Sequence, residues 1–189
     1  PSVQILAPVE AYKTAEKENR NLKPTIVAIE PVVLDTTFAF NFGEADGNPP
    51  VVLPSFSDFE KKWNDGGVDV GEHFRLPGAT YDPNVWQLTP RITVTLDKLV
   101  NYLHNNPALE IEISAHTESL GSDEENLVLT KNRAQIAVDY IIVEGISSKR
   151  LTAKVYGETL LLNRCQNGAP CNIEEHLYNQ RLEIKVIKK

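Results

Sequence analysis

Between Phe74 and Lys189 the spacing of apolar residues switches repeatedly between every second position and every third or fourth, and this switching limits the folds open to the chain. The stretch from Phe74 to Tyr81 reads as a strand. In TPRITVTLDKLVNYLHNNP, residues Ile92, Leu96, Leu99, Val100 and Leu103 recur at helical spacing until Pro107 stops the run. LEIEISAH then alternates as a strand, because side chains two apart share one face of a sheet. A second helix follows, opened by the capping-box spacing of Ser122 and Glu125, or later at Thr130, and closed by Gly145. RLTAKVYG and RLEIKVIK supply two more strands. The order β-α-β-α-β-β predicts an α+β sandwich, with two helices on one face of a mixed sheet.

The first seventy residues are less regular. Polar residues of both charges fill positions 1–25, which reads as a linker or arm. Ile26, Ala28, Val32, Leu34, Thr36, Phe38, Phe40 and Phe42 then recur at period two and predict one or two strands. SFSDFEKKWNDGG predicts a short helix capped by Ser57 or Ser55 and ended by Gly66. The expected division is a partly β extension over 1–70, whose role the sequence does not disclose, followed by one domain over 71–189.

Charge narrows the function. The formal net charge is -7, with six basic and eleven acidic residues up to Val70 and thirteen and fifteen after it. No basic block tracks a phosphate backbone, which argues against a nucleic-acid partner. No apolar run is long enough to span a bilayer, and the first twenty residues lack a signal-peptide pattern. Methionine is absent even at position 1, which fits a mature or trimmed piece whose targeting segment has been removed. Neither a nucleophile elbow nor a zinc-protease helix nor a phosphate-binding Gly-rich loop occurs, so no enzymatic activity and no cofactor are expected.

Two cysteines, Cys165 and Cys171, lie six apart in the loop-like NRCQNGAPCN. In an oxidising compartment they can close a small ring, worth roughly 2 kcal/mol in the chain-entropy model. Free thiols in a reducing compartment and a zinc half-site are the alternatives, the second weakened by the lack of another Cys or His pair at zinc spacing. His116, Glu118 and His176 also offer metal-ligand chemistry, against which stands a hydrogen-bonded structural histidine at a strand end. The adjacent carboxylates Glu124 and Glu125, and Glu174 and Glu175, are expected to be solvated.

Three ordered stretches carry a resemblance: HFRLPGATYDPNVWQLTP, AHTESLGSDEENLVLTKNRAQIAVDYIIVEGI and YGETLLLNRCQNGAPCNIEEHLYNQRLEIKV. Together they resemble the OmpA-like domain of Pal lipoproteins, OmpA tails and flagellar stator proteins, in the branch found in Bacteroidetes-type envelope proteins. The resemblance implies a non-enzymatic peptidoglycan-binding module in the periplasm. Its membrane link would run only through a segment outside this chain, and it would tether the outer membrane or an envelope complex to the wall.

In that family a diaminopimelate residue of the stem peptide is held at positions matching Glu118 and Arg133. Asn126, Asp82, Asn179 and Arg181 fall on the remaining family positions of the implied ligand set, while the residues alone read Asn126 and Asn179 equally as turn or cap residues. A carboxylate and a guanidinium can together grip one ammonium and one carboxylate. Arg133 stands out from the residues alone, since Leu129, Ile136, Tyr140 and Val143 share its helical stripe and a charge on such a stripe needs a partner. That partner is either a ligand or Glu118 itself. Three departures from the family pattern, Glu118 for Asp, Pro83 for an aromatic and Gln180 for Arg, motivate the alternative of a structural or protein-interaction module that has lost the ligand.

Overall fold

The computed structural model describes residues 50–189, which lie within one compact unit, Pro49–Lys189. The strands expected between 25 and 42 lie outside the described residues. The elements are α1 (Phe56–Asn64), β1 (His73–Leu76), α2 (Pro90–Asn105), β2 (Glu110–His116), α3 (Asp123–Val143), a 3-10 turn (Ser148–Arg150), β3 (Leu151–Gly157), α4 (Ile173–Leu177) and β4 (Arg181–Lys188). The β-α-β-α-β-β order is as the periodicity predicts, with α4 inserted before the last strand. No described helix is long and apolar enough to cross a membrane.

The four strands run β1-β4-β2-β3, so the last strand in sequence is interior to the sheet. β4 pairs antiparallel with both β1 and β2, and β2 pairs parallel with β3. The registers Phe74↔Ile184, Ile113↔Ile184 and Ala115↔Leu182 put one apolar set on one face. Phe74, Ile111, Ile113, Ala115, Leu182, Ile184 and Val186 are all fully buried there. The buried helical residues Ile92, Leu96, Leu99 and Leu103 of α2 and Ala134, Ala137 and Ile141 of α3 complete the core.

Local chemistry fixes the helix ends. Thr89 caps α2 with Pro at the first turn, where a missing N–H costs nothing. Ser122 and Glu125 form the capping box of α3, so the earlier of the two expected starts is the observed one. Ser55, rather than Ser57, caps α1. β1 stops at Leu76, short of the strand expected to reach Tyr81, and residues 77–88 continue as a loop across the end of the sheet.

Helix α1 belongs to the same packing. The Phe59 ring lies 5.2 Å from both Phe74 and Tyr102, and Phe56 and Phe59 are buried. The backbone before it pairs with β1 through Arg75 N–H to the Pro54 carbonyl (2.8 Å).

Candidate functional site

The opposite face of the sheet is polar, and one connected cluster dominates it. Arg181 Nε donates to Glu183 Oε1 (2.6 Å), while His73 Nδ1 lies 3.1 Å from Glu183 Oε2. Arg181 Nη2 donates to His116 Nδ1 (3.1 Å) and to the Leu160 carbonyl (3.0 Å), and Nη1 donates to the Asn179 carbonyl (2.9 Å). His116 stacks on Tyr156 with ring centroids 4.9 Å apart. Burial, reinforced by the Arg181 charge, pushes the His116 imidazole down to about 3, although Glu183 pulls the other way. His116 is therefore a neutral structural histidine. Burial alone would raise the Glu183 carboxyl, but His116, Arg181 and two hydrogen bonds outweigh it and hold it below the ordinary range.

Beyond His116 the chain turns through Thr117, Glu118 and Ser119. Thr117 N–H donates to the Gly157 carbonyl (2.9 Å), and Ser119 Oγ donates to the Cys165 carbonyl (2.5 Å). Gly157 closes β3 at φ 55, and a Cβ there would press within 3.3 Å of Leu127 at the start of α3. A glycine at this crossing lets loop, strand end and helix meet. Cys165 and Cys171 are disulfide-bonded with Cα atoms 5.8 Å apart, so the ring that holds Ser119 is itself closed.

Glu118, pinned on both sides, is buried, and its Oε2 has no hydrogen-bond partner. Arg133 reaches the same region from the third turn of α3 and is only 1% exposed. Its Nε donates to the Val85 carbonyl (3.0 Å), and its guanidinium lies 4.1 Å from the centre of the Tyr81 ring. Both terminal nitrogens, Nη1 and Nη2, lack a hydrogen-bond partner. Burial lowers the Arg133 pKa, with Tyr81 and Glu118 acting in the opposite direction. Arg133 and Glu118 are thus electrostatically coupled without a direct ion pair within 4.0 Å.

More orphaned atoms belong to the residues around this pair. Tyr81 Oη, Thr117 Oγ1 and Gln180 Nε2 are buried without partners, and burial pushes the Tyr81 phenol up to about 12. Gln180 Oε1 meanwhile accepts from Tyr81 N–H (3.1 Å), which ties the loop to the base of β4. A buried polar group left unpaired costs about 1–3 kcal/mol, and more when charged. A guanidinium with two free nitrogens, a carboxylate, a phenol, a hydroxyl and an amide make a site suited to a zwitterionic ligand.

The other expected site residues take framework positions. Asn126 Nδ2 donates to the Leu120 carbonyl (3.1 Å) and to Glu158 (2.5 Å). Asn179 accepts from Leu162 N–H (2.7 Å) and donates to Asn163 Oδ1 (2.8 Å). Arg181 uses its donors on protein acceptors as described above. Asp82 is exposed, and its carbonyl accepts from Val85 N–H (3.1 Å) in the turn that presents Val85 to Arg133. Glu175, expected to be solvated, is buried instead: it accepts from Asn172 N–H (2.8 Å) in a capping box and pairs with Arg164 (3.5 Å). Val143, read onto the Arg133 stripe, is exposed at the end of α3. The residue set with metal-ligand composition among the described residues, Cys165, Cys171 and Glu175, has both sulfurs in the disulfide.

The relatives agree with this architecture. Residues 80–170 match the family model described as the OmpA family. The likeness to the OmpA family rests on those residues, just under half of the chain. Outer membrane protein A of Atlantibacter hermannii is 28% identical over 161 residues, covering 82% of this chain and 63% of that protein. Outer membrane protein A of Escherichia fergusonii is 30% identical over 139 residues, covering 71% and 53%. The chain therefore spans less than two thirds of the length of these relatives. Among solved structures, the periplasmic domain of Helicobacter pylori MotB shares the fold with a TM-score of 0.51 at 18% identity, covering 65% of this chain and 76% of that one. Tyr81, Glu118 and Arg133 all lie within the matched residues.

Proposed function

We propose that this chain binds peptidoglycan without covalent chemistry, through a diaminopimelate-type stem peptide, and in the envelope tethers the outer membrane or a complex in it to the wall. The observation that carries the reading is Arg133, almost fully buried, with both terminal nitrogens unpartnered and the unpartnered Glu118 carboxylate in the same electrostatic field. Arg133 suits the carboxylate of a free amino-acid end, and Glu118 suits its ammonium. Tyr81 holds the guanidinium plane from one side, and the Val85 carbonyl fixes its tilt. Asn126, Asn179 and Arg181 position the loops, and Asp82 closes the turn behind Arg133.

Sedimentation with purified sacculi, alongside titration of soluble stem peptide, tests this. Each charge-assisted contact contributes about 1.5–3 kcal/mol, so Arg133→Ala should weaken binding at least tenfold. Arg133→Ala also removes the hydrogen bond to Val85 and the contact with Tyr81, so its melting temperature is measured alongside its binding. Glu118→Asp should retain binding, as the shorter carboxylate keeps the charge. If wild type and Glu118→Asp both fail to bind sacculi and millimolar stem peptide, the domain is an interaction module that has lost the ligand.

A further inference from the structure

Alongside the buried Arg133 lies a chemically different feature that is open to the surface. A groove of about 320 Å³ is lined by Asn84, Trp86, Glu124, Val128, Leu129 and Asn132, together with Glu125, and its wall is mostly apolar. It shares both supports with the stem-peptide site. Leu129 and Asn132 precede Arg133 on α3, and Trp86 follows Val85, whose carbonyl holds Arg133 Nε. Trp86 is 37% exposed and Val128 60% exposed, so this apolar wall is not part of the core. The other tryptophan, Trp63, is hydrogen-bonded to Asn106 and packed against Tyr102.

We propose that this groove is a subsite for a neutral N-acetylated sugar of the glycan strand, a reading that rests on the peptidoglycan function above. An exposed indole beside aliphatic side chains offers a flat apolar surface to the C–H face of a pyranose. The polar rim of Asn84, Asn132 and Glu124 offers donors and acceptors to hydroxyl and acetamido groups. Glu125 Oε2 already accepts from Ser122, whereas Glu124 is exposed on the rim.

Charge selects the occupant. Two carboxylates on the wall repel an anionic ligand, whereas in intact peptidoglycan the lactyl carboxyl of the muramic sugar is amidated and uncharged. The spacing also matches. The α3 residues that line the groove are centred about one and a half helical turns from Arg133, roughly 8 Å along the axis. The lactyl group and two residues that separate glycan from diaminopimelate span up to about 10 Å when extended.

The probe is the disaccharide of N-acetylglucosamine and N-acetylmuramic acid with its lactyl carboxyl capped as the methylamide. It is titrated into the full chain by calorimetry and by tryptophan fluorescence in a Trp63→Phe background. Saturable binding at millimolar concentration is expected for wild type. Trp86→Ala should weaken it more than about tenfold, and Trp86→Phe should restore most of the loss. Uncapping the lactyl carboxyl should weaken binding, and Glu124→Gln should reduce that penalty. Absence of saturable binding by wild type, or Trp86→Ala binding as wild type does, overturns the proposal. Titration with the sugar-free stem tripeptide reads the Arg133 site separately. Tripeptide binding without disaccharide binding sinks the glycan subsite alone, and the reverse sinks the stem-peptide reading alone.

Discussion

His116 shows how a motif residue of the sequence becomes a stability element in the structure. Its imidazole is buried between Arg181, Glu183 and Tyr156, with His73 and Arg75 adding positive field, and is held down to about 3. The unfolded chain titrates near the ordinary histidine value of about 6.5. Between those two values the unfolded state binds more protons than the folded one, so stability is fully present above about 6.5 and is lost as pH falls toward 3. Glu183, also depressed in the folded state, adds a loss of the same sign below the ordinary glutamate range. His116→Gln should therefore lower Tm at pH 7 but flatten its decline between pH 7 and 5, as followed by circular dichroism. An unchanged slope would show that His116 is not the titrating group. The same residues mark a limit of sequence reading. The family pattern puts Arg181 in the ligand set, yet four acceptors on the protein occupy its guanidinium, which only the register Arg181↔His116 reveals. Arg133 was legible from its apolar stripe, whereas the Tyr81 ring beneath it and the orphaned Gln180 amide arise from a loop that folds back across the sheet end.

Among the elements, the strands and long helices were written in periodicity because each buries one face. β2 and β4 alternate since only their inner face meets α2 and α3, and Ser122 with Glu125 announces α3 in the sequence. The short α4 escaped because five residues do not establish a period. Glu175 within it is buried for a tertiary reason, the closing of the disulfide loop by Arg164 and Asn172. That loop is coupled to the site through Ser119 Oγ and the Cys165 carbonyl. Reduction of the disulfide should destabilise the domain by roughly 2 kcal/mol from loop entropy. For a domain of this size, that is a drop in Tm of several degrees. Ser119→Ala should instead leave the ring intact and weaken stem-peptide binding several-fold, because Glu118 loses one of its two anchors. Equal affinities of Ser119→Ala and wild type, measured by calorimetry, would show that the loop holds its shape without this bond.

For the molecule as a whole, the decisive question is where the folding unit begins. The period-two and helical patterns that start at Phe74 suggest that 71–189 folds by itself and that 1–70 does not. The structure supplies a reason to test a longer piece, because α1 buries Phe56 and Phe59 against Phe74 and Tyr102, and the Pro54 carbonyl bonds Arg75 at the sheet edge. Burying a phenylalanine contributes about 1.5–3 kcal/mol, so removing two, with the edge hydrogen bond, costs several kcal/mol of the 5–15 available to an ordinary domain. Fragment 71–189 keeps all four strands with α2 and α3 and should still melt cooperatively, but well below fragment 49–189. Phe59→Ala in the longer fragment should recover most of that difference in one substitution, since Phe59 touches Phe56, Trp63, Phe74 and Tyr102. Calorimetric melts of the two fragments and the variant decide it. Identical melting temperatures for 49–189 and 71–189 would mean that α1 rests on the domain without stabilising it. A cooperative transition from 1–70 alone would place the boundary after α1. Stem-peptide binding should survive in both fragments carrying residues 71–189, because Tyr81, Glu118, Arg133 and Gln180 all lie downstream of the contact that α1 makes.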